Sequence, residues 1–351
     1  MIVLPSHAPP AKRWLAHLVR AAAGVIRAGD RFDDSFAFEA EAVAELAHRE
    51  GVAPLLHRGL VQGRIADPLP QPFRKSVRGA WEVSRRRSVA FREIGAAVGA
   101  ELDAARVDAV PVGALALVRG KDELYLEPGL RPVEQLDLVV PRADAPRALR
   151  VLRQLGFGEG TESRMRPGVG FVRLARRTGE GMLPLTLHHA LDGGRVARLD
   201  AERFVSAHVL RAADGRAEVA PGGHLLFVAT RLAHAGLRPW IEILDLHRLV
   251  EARPAWPALV REAGATGLRR PLYVALAASR ELLRSPVPKE VLAELAPGLL
   301  RRSLLHRRLA AGAREAGPAT ARSWLPDRAG SRGASAPRRI RSAPSWPTEE
   351  L

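Results

Sequence analysis

At 351 residues, with 47% hydrophobic and 26% charged positions, the chain is long enough for two or three packed units and too apolar to be disordered throughout. It has no cysteine, which excludes disulfide scaffolds, zinc–thiolate sites, iron–sulfur clusters and cysteine nucleophiles. The net charge of +16 raises the expectation of an anionic partner. However, only Lys12, Lys75, Lys121 and Lys289 among the 54 basic residues are lysine, and aromatic residues make up 5%. Arginine spread through an alanine-rich chain is the mark of a GC-rich coding sequence, and stacking platforms are scarce, so nucleic acid is not an expected partner.

From the N-terminus, Lys12, Arg13, His17 and Arg20 interrupt each apolar stretch, so no signal-peptide pattern is read. The longest apolar run, Ala109–Val118, contains Pro111 and Gly113 and falls short of the roughly 20 residues of a membrane helix. No membrane is expected, and the cytoplasm is the expected location. Helical spacing predicts helices over 11–28 (Trp14, Leu15, Leu18, Val19, Ala22, Ile26) and 38–50, the second stopped by Gly51. A short helix starts at Pro54, and 73–106 reads as one long amphipathic helix or two.

The character changes at Val107. Val107–Val112 followed by Gly113 reads as strand then turn, with a helix after Gly113, and Leu136–Val140, ended by Pro141, as a second buried strand. A helix over 143–155 and strands at Phe171–Ala175 and Leu183–His189 complete a small α/β unit. From Gly222 the pattern is helical again, over 225–235, 240–251, 255–263, 268–283 and 289–295. Beyond Gly317 the Pro, Ser and Arg content predicts a disordered basic tail. The chain thus reads as α+β, with a helical segment over 1–106, an α/β unit over 107–215, a helical bundle over 216–312 and a tail over 313–351.

Three segments carry a resemblance. They are Gly51-Val52-Ala53-Pro54-Leu55-Leu56-His57; then Val110-Pro111-Val112-Gly113-Ala114-Leu115-Ala116 with Tyr125, Pro128-Gly129-Leu130-Arg131-Pro132 and Leu136-Asp137-Leu138-Val139-Val140; then Leu185-Thr186-Leu187-His188 with His234, Trp240 and Asp245-Leu246. In their order, over roughly residues 35–300, they resemble the broad bacterial family of uncharacterised nucleotidyltransferases of the polymerase-beta-like superfamily. The resemblance implies a small mixed-sheet nucleotidyltransferase unit flanked by N-terminal helices and a C-terminal bundle. It also implies a nucleoside triphosphate substrate, an unknown acceptor and, in an active protein, magnesium.

That chemistry needs hard anionic oxygens for the metal, because nucleotidyl transfer is driven by a dication bridging phosphate and acceptor. An Asp-x-Asp strand presents both carboxylates on one face. A glycine turn, here Gly113-Ala114, lets backbone N–H groups approach phosphate, and Arg131 is a further candidate contact. Against the family pattern, Val112 stands where a lysine is expected, Gln135 replaces the first carboxylate, and Thr186 stands at the third acidic position. Asp137 alone remains as candidate catalytic and metal-binding carboxylate. Glu134 alternates to the opposite face, His188 shares the face of Thr186 and suits a softer metal, and Lys121 is a distant source of positive charge.

Each residue also has a plainer role. Asp137 fits a cap or salt-bridge partner, Gly113 a tight turn, Arg131 a loop brace, His188 a hydrogen-bonded core histidine, and His234 and Asp245 clasps between bundle helices. No Gly-x-Ser-x-Gly, His-Glu-x-x-His, Walker lysine loop or Gly-x-Gly-x-x-Gly is present. Two functions stay open: nucleotidyl transfer, weakened or lost, and a non-catalytic nucleotide-binding or regulatory role on the same fold.

Overall fold

The computed structural model describes residues 8–26, 37–66, 68–118, 124–125, 127–159, 170–190, 199–211 and 217–298. The tail from Gly317 and Lys121 lie outside the described residues.

Four helices come first: α1 (Pro10–Ala22), α2 (Ala40–Arg49), α3 (Ala53–Val61) and α4 (Gln71–Ala104). Prolines at the first or second positions of α1, α3 and α4 start each of them where a missing N–H costs nothing. Helix α4 is one continuous helix of 34 residues, about 50 Å long at 1.5 Å per residue. Its end consumes residues that the sequence offered to a strand. Arg106 turns at φ 55°, and the N–H of Val107 bonds Leu102 O at 2.9 Å, so the strand begins at Val110 rather than Val107.

The next elements are β1 (Val110–Val112), α5 (Gly113–Leu117), β2 (Leu136–Val139), α6 (Ala145–Gln154), β3 (Gly158–Glu159), β4 (Phe171–Thr178) and β5 (Gly181–His188). They form one mixed sheet in the order β1-β2-β5-β4-β3, in which only β2 and β5 run parallel. The four expected strands therefore share a sheet, and β4–β5 is a hairpin. Register places Val112 opposite Asp137, Asp137 opposite Thr186, and Thr186 opposite Arg173. Directly paired residues lie on the same face, so these four side chains form one row across the sheet. Leu136, Leu138, Leu185 and Leu187 alternate to the other face and are buried.

A short α7 (Ala201–His208) and the hairpin of β6 (Val209–Arg211) with β7 (Ala217–Val219) follow, none of which the pattern announced. Asp200 caps α7, its Oδ1 accepting from the Arg203 N–H at 2.8 Å. The bundle is α8 (Pro221–His234), α9 (Trp240–Glu251), α10 (Trp256–Thr266), α11 (Arg269–Leu283) and α12 (Lys289–Leu295).

Helix α9 is buried nearly all round, as its sequence Trp-Ile-Glu-Ile-Leu-Asp-Leu demands. The N-terminal helices hold its start. The Glu50 carboxylate accepts from the Trp240 N–H at 3.1 Å, and Glu50 O accepts from the Ile241 N–H at 3.0 Å. Gly51 beside it has φ +70°, and a Cβ there would meet Ile241 Cγ2 at 2.9 Å. The Gly51–His57 signature is thus a docking corner for α9. Helix α1 also reaches the bundle, where the Arg20 guanidinium donates to Leu282 O and Glu281 O at 2.7 and 3.0 Å at the end of α11.

Candidate functional site at Asp137

Asp137 lies on β2 at 1% exposure, and each of its oxygens is engaged. Oδ1 is 2.9 Å from His188 Nε2 on β5. Oδ2 accepts from Arg231 Nη1 on α8 at 2.8 Å. The Gln135 amide, one pleat earlier on the same face, donates to both oxygens at 2.8 and 2.9 Å. Gly113 closes the remaining side, because a Cβ built there would sit 3.0 Å from Asp137 Oδ2 and 3.3 Å from Phe227. Burial alone pushes the Asp137 carboxyl up, but the guanidinium of Arg231, the His188 hydrogen bond and the Gln135 amide outweigh it and hold the group at about 2.

The network continues through Arg231. Its Nη2 donates to Glu242 Oε1 on α9 at 2.7 Å, so one planar fork bridges carboxylates from β2 and α9. Arg231 also lies over the Phe227 ring, its Cζ 5.7 Å from the centroid. Burial works against its charge, yet Glu242 and Asp137 together raise its pKa. Glu242 fares differently from Asp137. It is 3% exposed, Oε2 has no hydrogen-bond partner, and burial raises its pKa against the pull of Arg231 and Arg131. Asp137 has several donors on its two oxygens, whereas Glu242 has one oxygen served and one orphaned.

One helical turn along α9, Asp245 receives the Arg131 guanidinium, with Nε 2.9 Å and Nη2 2.9 Å from Oδ2, and the Tyr125 hydroxyl at 2.6 Å from Oδ1. Burial, then Asp245, raises the Tyr125 pKa well above its ordinary value. Asp245 therefore ties α9 to the loop before β2. This corrects the expectation that it clasps bundle helices alone. It also commits Arg131 to bracing the loop, a role the sequence had set beside nucleotide contact.

The structure brings Asp137, Gln135, His188 and Gly113 into one cluster, with Val112 and Thr186 buried beside Asp137 in the same row. Ala114 follows on α5, also buried. Sequence reasoning missed Arg231 and Glu242, although each carried a signal. Arg231 is the single formal charge in the run Leu225–Ala235, and Glu242 and Asp245 are carboxylates three apart in an apolar helix. Charges in such runs are buried only with partners.

A family model for an uncharacterised nucleotidyltransferase matches residues 37–284. The chain belongs to this nucleotidyltransferase family. No curated protein and no solved structure gives a match. The resemblance puts a dication's carboxylates at Gln135, Asp137 and Thr186 and a lysine at Val112, and here the donor set does not fit magnesium. Val112 and Thr186 supply no charge, Gln135 turns its amide nitrogen to Asp137, and Asp137 faces a guanidinium. Among the described residues no group of three or more His, Cys, Asp or Glu is arranged to hold a metal ion. No described helix is long and apolar enough to cross a membrane.

Proposed function

We propose that this nucleotidyltransferase-family protein is a non-catalytic binding or regulatory protein, in which metal-assisted nucleotidyl transfer has been lost. The observation that supports this reading is the enclosure of Asp137 by Arg231, Gln135 and His188. A carboxylate held this way has no oxygen left for a hard dication, and the two other expected acidic positions are neutral. Any nucleoside triphosphate the protein accepts is bound without magnesium.

The test is calorimetric titration of the wild-type protein with the common nucleoside triphosphates, with and without magnesium or manganese, beside an assay for pyrophosphate release. The expected result is no release and no dependence of binding on the dication. Transfer by the wild-type protein that is abolished by Asp137→Asn overturns the reading and restores the alternative of an active enzyme with an unknown acceptor.

A further inference from the structure

Behind the sheet, on the face of β2 away from Asp137, lies a cavity of about 780 Å³. We infer that it is a binding site for an uncharged, largely apolar small molecule carrying one hydrogen-bonding group. Leu136 and Leu138 of β2 and Pro111 of β1 form its floor, and its walls come from α4, α5, β7 and the first turn of α8. The volume is that of a ligand pocket, since voids inside close-packed cores rarely exceed a water molecule. Gly95 and Gly99 line it from α4. Glycine inside a helix destabilises it relative to alanine, and a Cβ built at Gly99 meets no described atom within 4 Å. Packing against the rest of the chain therefore gives Gly99 no reason to be small. From α8, His224 also lines the cavity at 8% exposure, and its Nδ1 has no hydrogen-bond partner. A buried polar atom left unserved is costly, and a ligand that reaches it removes the cost.

The lining also selects among ligands. Its formal charges, among the described residues, are Asp103 and Glu218, and no lysine or arginine stands with them in a chain of 54 basic residues. A carboxylate or phosphate would meet like charge and no cation against an apolar wall, which disfavours it strongly. Nucleoside triphosphate is therefore not the occupant, and the inference stands apart from the chemistry at Asp137. Burial pushes the His224 imidazole down to about 4, so it is neutral near pH 7, and Nδ1 donates or accepts according to its tautomer. A hydroxyl, which both donates and accepts, matches either tautomer.

The experiment uses the full chain with 4-butylphenol as probe, read by isothermal titration and by thermal midpoint. Butylbenzene, which lacks the hydroxyl, and 4-butylbenzoate, which carries a negative charge, are its counterparts. The phenol should bind saturably and raise the midpoint, and the benzoate should not bind. Butylbenzene should bind about three- to tenfold more weakly than the phenol, the worth of one hydrogen bond. Gly99→Leu places a side chain in the open space on a helix that gains from losing a glycine, so it should stay folded and lose the phenol. His224→Phe should bind phenol and butylbenzene alike. If either variant fails to fold, the other decides. Wild-type protein that gives no heat and no midpoint shift in millimolar 4-butylphenol overturns the site, as does undiminished binding by folded Gly99→Leu. Benzoate bound as tightly as the phenol overturns the uncharged ligand class, and a hydroxyl preference that survives His224→Phe overturns the part given to His224.

Discussion

Asp137 and Glu242 share one arginine but their pKa values shift in opposite directions, and that difference sets how stability responds to pH. The Asp137 contribution is fully present above its unfolded value of about 3.9 and is lost as pH falls through about 2. Glu242 is raised, so its contribution is fully present below about 4.3 and is lost as pH rises through its folded value. Glu242→Gln keeps an acceptor for Arg231 Nη2 and removes that titration. Chemical denaturation at several pH values should show the wild type losing stability as pH rises above about 4.3, and the variant losing less over the same window. An identical slope in both proteins would mean that Glu242 ionises normally in the fold. At Gly113, φ +67° and the 3.0 Å approach to Asp137 Oδ2 make a methyl group strained. Gly113→Ala should lower stability by about 2 kcal/mol, from the left-handed backbone and a displaced carboxylate. Neutral behaviour in denaturant melts would show that the turn relaxes freely. Sequence alone placed Gln135, Asp137, Thr186 and His188 on one face, because alternation along a strand is local. It could not pair Asp137 with Arg231, since 94 residues separate them and only the packing of α8 on the sheet brings them together.

Helix α9 organises the molecule because its polar residues have different clients. Glu242 meets α8 through Arg231, Asp245 meets the loop before β2 through Arg131 and Tyr125, and the His247 imidazole lies 2.9 Å from the Ser285 hydroxyl beyond α11. Arg131 to Asp245 is a bidentate pair with side-chain exposures of 8% and 0%. Arg131→Lys keeps the charge but cannot make both bonds, and should cost about 1.5–3 kcal/mol by equilibrium unfolding. A loss below about 0.5 kcal/mol would show the pair to be dispensable. Elements with strong local signals, such as α4, α9 and the β4–β5 hairpin, were legible from periodicity. The three-residue strands β6 and β7 and the eight-residue α7 were not, because pieces this short carry too few alternations and take their form from neighbours. The early Gly51–His57 motif was visible as a signature, but its purpose needed α9: Glu50 serves the first N–H groups of that helix while Gly51 lets the chain pass Ile241.

Across the whole molecule, the helices before and after the sheet are joined through α9 and through Arg20 on the end of α11, so the chain does not divide cleanly at its sheet. The charged network crosses β2, β5, α8 and α9, and a cation sits at its centre as part of the polypeptide. A free metal ion occupies its site only as far as its concentration and dissociation constant allow, and contributes stability in proportion to the logarithm of that ratio. Arg231 is held by the chain, so its effective concentration at the two carboxylates is fixed by α8 and takes no account of the surrounding medium. Prolonged dialysis against a strong chelator should therefore leave the thermal midpoint of the wild-type protein unchanged, whereas a fall of several degrees would reveal a bound dication. A cation supplied by the polypeptide makes this network indifferent to metal supply, so the protein would keep its shape through changes in cation availability that empty the sites of metal-dependent enzymes.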